Sequence, residues 1–460
     1  MQRVLFLILP VTVLQLLISC NSSSENTNTE TPASSAGKAT LVDGHPDWIM
    51  QGNIYEVNVR QYTPEGTFKA FEKHLDRLKQ MGVQTLWFMP INPISELDRK
   101  GAMGSYYAVA DYTAINPEFG TLGDWKHLVK NAHDLGFKVI IDWVPNHSGA
   151  DNRWITEHPD FYVKDSTGKP AVPHDWTDTR KLDYKNQVLQ DSMIRSMKYW
   201  ITTSDIDGFR CDVAGDVPDD FWKKCIAELK KTKEDIFMLA EADKPSLHID
   251  GFDATYAWQM FAMMKKVAKG ERSATALDSV RNYVDTAFPA NELKLFFTSN
   301  HDENSWNKAD FGTMPGVIHA PFAVFTQTMP HDIPLIYSGQ EEPVLDSISF
   351  FYKDPIIFKN FGRAKFYKTL LELRKNPALA ANASFKKVKA GDDQALYAYT
   401  REGGGKKILV ILNLSKKEQA VKITDGNLLG NPYNLFMGTN EQLTKKEWRI
   451  EPWGYVVYVY

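Results

Sequence analysis

Arg210 and Asp212 stand two residues apart in GFRCD (Gly208 to Asp212), and Glu241 closes the apolar run IFMLA. Residues two apart on a strand point to the same side, so the guanidinium and the carboxylate share one face. An arginine beside a carboxylate favours the ionised form, which a nucleophile requires. A carboxyl at the end of an apolar run has surroundings that favour its protonated form, which a general acid requires. Two carboxyl groups in differing environments across one pocket are the arrangement that cleaves glycosidic bonds. Two more apolar runs end in polar clusters, at DWVPNH (Asp142 to His147) and SNHDE (Ser299 to Glu303). Any one of these clusters alone would suit a rim ion pair or a helix cap. Four in order at strand ends point to chemistry.

The elements that must position them are short β-like runs alternating with amphipathic stretches. The strand candidates are Ile54 to Val59, Val83 to Met89, Lys138 to Trp143 and Gly208 to Asp212. They continue with Ile236 to Ala240, Phe252 to Tyr256, Leu293 to Ser299 and Pro334 to Tyr337. Stretches such as FKAFEKHLDRLKQMG and DWKHLVKNAHDLGF repeat apolar residues at helical spacing and close at Gly82 and Gly136. Eight strands alternating with helices predict an α/β fold, a (β/α)8 TIM barrel over 46–376, with a doubly wound sheet as the alternative. The polar clusters then fall at the ends of strands three, four, five and seven, on the face where such barrels place their sites. Residues 148–183 are too long for a plain loop and predict a short excursion after strand 3. From 377 to 460, QALYAYT, KKILVILNL and GYVVYVY read as a C-terminal antiparallel β-sandwich domain.

A net charge of −4 with 24% charged residues gives no basic footprint for nucleic acid and no polybasic membrane patch. The 12 Trp and 19 Tyr fill a core, and some offer flat platforms for sugars. Residues 1–20 read as a signal peptide whose ending, Leu17-Ile18-Ser19-Cys20, looks like a bacterial lipobox with Cys20 as the lipidated residue. Residues 21–45 follow as a flexible tether rich in Ser, Asn and Thr. The chain is thus expected to be exported and lipid-anchored to a bacterial membrane, touching it by that anchor alone. Cys211 and Cys225 are expected as buried thiols, with a single bridge open to them.

Taken together, DWVPNH, GFRCD, Glu241 after its apolar strand, and SNHDE resemble the α-amylase family, glycoside hydrolase family 13. SYYAVADYTAINPEFGT (Ser105 to Thr121), GVQTLWFMP (Gly82 to Pro90) and YSGQEEP (Tyr337 to Pro343) extend the likeness over about residues 50 to 376. The resemblance implies that Asp212 is the nucleophile, Glu241 the acid and base, and Asp302 the carboxylate that grips the sugar's hydroxyls. It implies substrate-site roles for Arg210, His147, His301, Tyr107 and Asp142, with Arg210 orienting Asp212, Asp142 holding Arg210, and Tyr107 stacking beneath the sugar. The expected reaction is retaining hydrolysis of α-glucosidic bonds, mainly α-1,4, in starch-like glucans or maltooligosaccharides. A neopullulanase-like or α-1,6-acting hydrolase, an exo-α-glucosidase, a transglycosylase and a non-catalytic glycan-binding lipoprotein are the alternatives.

No cofactor is required by this chemistry. The family's frequent calcium site would draw on Asn146, but Lys181 stands where the resemblance places an acid, which puts calcium in doubt. Val213-Ala214-Gly215-Asp216 lacks the Lys-His pair of many starch-cleaving relatives. Glu303, Asn304 and Trp306 lie beyond the family motif.

Overall fold

Eight parallel strands close on themselves: β1 Ile54–Val57, β2 Thr85–Phe88, β3 Lys138–Trp143, β4 Gly208–Cys211, β5 Phe237–Ala240, β6 Ala254–Tyr256, β7 Leu293–Phe296 and β8 Asp332–Tyr337. The computed structural model describes residues 40–308, 314–343 and 346–460. The expected signal peptide with Cys20, and most of the tether, lie outside these residues. Closure of the sheet, with β8 paired to β1, decides for the barrel over the doubly wound alternative. Nearly every strand residue is buried, because the outer face meets helices and the inner face meets its opposite number.

Register carries the polar residues to one end. Asp142 on β3 is the lateral partner of Arg210 on β4, so their side chains leave the sheet on the same side. Gly208 opens β4 because nothing larger fits there. A Cβ at that position would lie 2.4 Å from the Phe237 carbonyl oxygen on the neighbouring strand.

Two strands end earlier than their apolar runs suggest. β1 stops at Val57 because Asn58 caps the short helix Val59–Tyr62, its side chain accepting from Gln61 N–H. β7 stops at Phe296, not Ser299. Beyond it Thr298 turns to side-chain partners, His319 and Gln340, and Asn300 caps the helix His301–Asn307.

Two buried ion clusters lie away from the polar rim. Asp207, just before β4, is held by His133 Nε2 at 2.7 Å, Lys138 Nζ at 2.9 Å, Lys233 Nζ at 3.0 Å and the Val139 N–H at 2.9 Å. Arg374, at the end of the helix Ala364–Leu373, grips both oxygens of Asp332 on β8 at 2.9 Å.

The excursion starts from the strand His147–Gly149, which pairs with Thr179–Lys181. The C-terminal part is a six-stranded sheet centred on Leu396–Gly403, Lys406–Asn413 and Tyr455–Val459, all antiparallel. One face joins the barrel's core through Tyr397, Tyr399, Val410 and Leu412 against Phe325 and Leu370. The opposite face packs on Val421, Ile423 and Ile450, so the expected sandwich is lopsided: its second layer is a two-stranded ribbon, Gln419–Val421 with Trp448–Ile450.

The expected tether runs too long at its end. Leu41–Val42 pairs with His45–Pro46, and buried His45 bonds Asp253 at 3.0 Å and the Asn291 carbonyl at 2.8 Å. A buried ion pair fixes residues that composition alone marks as loose. Cys211 and Cys225 are both buried free thiols.

Candidate active site

The sequence motifs converge on one cleft of about 360 Å³, within the usual range for small-molecule sites. Asp212, Glu241, Asp302, His147, His301 and Tyr107 all line it. Arg210 and Asp142 do not. Both are 0% exposed, so their expected place among the substrate contacts is corrected: they lie beneath the carboxylates and reach the cleft through them.

Arg210 is the hub. Its Nη1 donates to Asp142 Oδ1 at 2.8 Å and to Asp212 Oδ1 at 2.9 Å, and its Nη2 lies 2.8 Å from Glu241 Oε2. Nε donates to the Tyr256 hydroxyl at 3.0 Å. Glu241 Oε2 also accepts from the Val213 N–H at 2.8 Å. Val213 has a φ of +46°, a left-handed conformation that a β-branched residue adopts only under strain, and that strain aims its N–H at Glu241. Among the described residues, Asp212 Oδ2 and Glu241 Oε1 keep no protein hydrogen bond.

One electrostatic expectation changes. Burial, then the charges of Glu241, Asp142 and Asp302, push the Asp212 carboxyl well above its ordinary range, against the pull of Arg210. One guanidinium shared among three acids does not neutralise each of them. Glu241 projects past the end of β5 onto Arg210 and a backbone N–H. Asp142, fully buried, is raised to about 6 by desolvation, with Arg210 and His301 opposing.

Asp302 enters from the first turn of the helix His301–Asn307, whose N-cap Asn300 accepts from Glu303 N–H at 2.8 Å. Partial burial would raise the Asp302 carboxyl. The charge of His301 and its hydrogen bond, with Arg210 and a hydrogen bond from Trp306, hold it below the usual range instead. His301 Nε2 lies 3.3 Å from Asp302 Oδ2 and 2.8 Å from the Tyr107 hydroxyl. That hydroxyl spends its one proton on Asp142 Oδ2 at 3.0 Å, so it accepts from His301. Burial favours neutral His301, but Asp302 and Glu56 together raise its pKa well above the ordinary value. His147 is the opposite case: burial, helped by Lys181, lowers it to about 3, so it is neutral.

Glu56 on β1 was missed by sequence reasoning, though an acid inside the apolar run IYEV was a readable signal. So were Tyr256, whose hydroxyl accepts from Arg210 Nε–H, and, of the cleft walls, Trp176, Phe350 and Phe351. One wall is Trp176 of the excursion, packed on His147 with centroids 5.2 Å apart. The other is Trp306, Phe350 and Phe351.

The residues around Asn146 do not fit calcium. The Lys181 ammonium donates to Asn146 Oδ1, the oxygen a hard cation would take, and Asn146 Nδ2 faces His147 Nδ1 at 3.2 Å. Among the described residues no three His, Cys, Asp or Glu side chains cluster in a way that could hold a metal. The expected metal role of Asn146 therefore gives way to an internal ammonium–amide contact.

A closed parallel barrel with paired carboxyl groups and a sugar-sized cleft at its rim defines a (β/α)8 glycoside hydrolase architecture. The chain belongs to the α-amylase family: the model of the α-amylase catalytic domain matches residues 23–181 and 173–365. It is 27% identical over 439 residues to an α-amylase of Haloarcula japonica, covering 90% of this chain and 63% of that one. It is 26% identical to a cyclomaltodextrinase of Thermoanaerobacter pseudethanolicus, covering 78% of this chain and 65% of that one. The chain thus spans just under two thirds of these two relatives' lengths. Among solved structures, an α-amylase from Lactobacillus plantarum superposes with a TM-score of 0.81 at 29% identity, over 90% of this chain and 99% of that one. A maltogenic α-amylase from Thermotoga neapolitana gives 0.76 at 28%, over 90% and 97%.

Proposed function

We propose that this chain is a retaining hydrolase of α-glucosidic bonds, mainly α-1,4, in starch-like glucans or maltooligosaccharides. The observation that carries the reading is the Arg210 bridge, which occupies Asp212 Oδ1 and Glu241 Oε2 and leaves the other oxygen of each for the reaction. Asp212 Oδ2 attacks the anomeric carbon while Glu241 Oε1 gives its proton to the leaving oxygen. A covalent glycosyl ester on Asp212 results, and water deprotonated by Glu241 then releases the sugar with retention. Like charges held on one guanidinium are costly, so a single proton on the pair is the state in which one acid attacks and the other donates. Asp302 grips sugar hydroxyls as positive charge develops on the ring, and its low pKa keeps it anionic for that task. His301 and neutral His147 bond the same sugar, and the Tyr107 ring packs against it.

The cleft's two aromatic walls favour an oligosaccharide over a one-sugar pocket. Relatives named as α-amylase, maltogenic amylase, cyclomaltodextrinase and neopullulanase support α-glucans as the substrate class. The test is chromatography of products from maltohexaose and pullulan, with Glu241→Gln as the control. Shortened maltohexaose with the anomer retained is expected. Cleavage confined to α-1,6 bonds, or hydrolysis unchanged in Glu241→Gln, would overturn the assignment.

The leader-like residues 1–20 and the Ser/Asn/Thr-rich stretch after them support export with a lipid anchor on Cys20. In that reading Cys20→Ala shifts the protein from the membrane fraction to the soluble fraction.

A further inference from the structure

Trp306 is 55% exposed at the cleft, four residues beyond Asp302 on the same helix. That spacing places its indole one turn from the carboxylate, on the same helix face. Its ring is not alone. Trp306 packs on Phe350 with centroids 5.3 Å apart and on Phe351 at 5.7 Å. Phe350 lies nearly parallel to Tyr107, at 6.2 Å and 15°, and Tyr107 lies nearly parallel to His301, at 5.4 Å and 23°. A continuous set of rings therefore runs from the buried histidine beside Asp302 outward to an open indole.

The neighbouring residues of the same short helix hold this set in place. Asn304 Oδ1 accepts from the Ile348 N–H at 2.8 Å, and Ser305 Oγ donates to the Ile348 carbonyl at 2.8 Å. The Phe351 carbonyl in turn accepts from the Met103 N–H at 3.0 Å. The loop carrying Phe350 and Phe351 is thus pinned at both ends, and the indole is backed by fixed rings.

A large aromatic surface left open beside a polar cleft costs solvation unless a ligand covers it. The C–H face of a glucopyranose ring is the flat, weakly polar surface that matches it. We infer that Trp306, backed by Phe350 and Phe351, is the platform for a glucosyl unit next to the one held by Asp302 and His301, and that it sets the enzyme's preference for longer α-glucan chains. This rests on the α-glucan reading above, with the platform as an added claim. Asn304 and Ser305 act as positioning residues for it.

The test measures kcat/KM for the wild type, Trp306→Ala and Trp306→Phe on maltooligosaccharides from maltotriose to maltoheptaose. In Trp306→Ala the ratio of maltoheptaose to maltotriose should fall about 3- to 10-fold, the worth of one aromatic contact. Trp306→Phe should recover most of it. An equal loss at every length would overturn the inference, since Trp306 would then act only through Asp302, and so would no loss at all. Tryptophan quenching by maltoheptaose in the Glu241→Gln background is read in parallel. A partial loss in Trp306→Phe, with the share due to Trp176 remaining, supports the platform, and quenching undiminished overturns it. If the wild type cleaves none of the series, the α-glucan hydrolase reading fails, and the quenching still decides the platform.

Discussion

Glu56 Oε1 lies 2.5 Å from His301 Nδ1, while Glu56 Oε2, fully buried, has no hydrogen-bond partner among the described residues. An unpartnered buried carboxylate oxygen is a cost that a purely structural residue would shed. Here it holds a ring whose other nitrogen faces Asp302 and Tyr107.

Replacing Glu56 with Leu should therefore release the His301 ring as well as strand its Nδ1. Expected is a fall in kcat of about 10²-fold, the scale of a misplaced catalytic group, read at a temperature where the variant is fully folded, because stranding buried His301 also lowers Tm. Glu56→Gln, which keeps a partner for Nδ1, should recover most of the rate. Steady-state kinetics alongside thermal melts decide it. An unchanged kcat in the folded Glu56→Leu protein would make Glu56 merely structural.

The acid limb of kcat/KM should lie above the ordinary aspartate value of about 3.9. Burial and neighbouring carboxylates raise Asp212, so the ionised nucleophile is lost as pH falls through that raised value. The same shift has a stability sign. Because the folded chain favours protonated Asp212, its stabilising contribution is full below the unfolded pKa and is lost as pH rises through the folded one. Asp212→Asn, permanently neutral, should be inactive yet melt higher than the wild type at about pH 8, the two converging at about pH 4. A pH-independent gap between the melts would refute this.

Asp207 has the opposite sign. Burial opposes its charge, but His133, Lys233 and Lys138 hold its carboxyl far below the usual range. Its contribution is present above the unfolded pKa of about 3.9 and disappears as pH falls through the folded value. Asp207→Ala at neutral pH should cost about 3–5 kcal/mol by denaturant titration, the usual price of stranding buried partners.

Chelators should leave activity and Tm unchanged, because the Lys181 ammonium holds the Asn146 oxygen. Lys181→Met strands that buried amide and should cost about 1–3 kcal/mol. Melting curves with and without EDTA settle both points. A chelator-dependent drop in the wild type would restore a metal to this corner.

What the sequence made legible was local. Lys138–Trp143 and the other strands announce themselves as short apolar runs, and the polar clusters that end them hold Asp212, Glu241 and Asp302, which the fold brings to one cleft. The misses share a cause: they depend on contacts between distant segments. Glu56 acquires its meaning from His301, 245 positions away. Phe350 and Phe351 acquire theirs by packing on Trp306, more than forty residues back, through Asn304 and Ile348. Asp212 illustrates the limit most clearly. The neighbour visible in sequence, Arg210, argues for an ionised acid, while the burial and the carboxylates that outweigh it come from distant segments.

The Arg210 hub also bears on how such a site can change over time. With one guanidinium touching Asp142, Asp212 and Glu241, no substitution at Arg210 can retune the nucleophile without retuning the acid. Adaptation to a different working pH is therefore channelled to the outer members of the network, such as Tyr256, Glu56 or the strained turn at Val213.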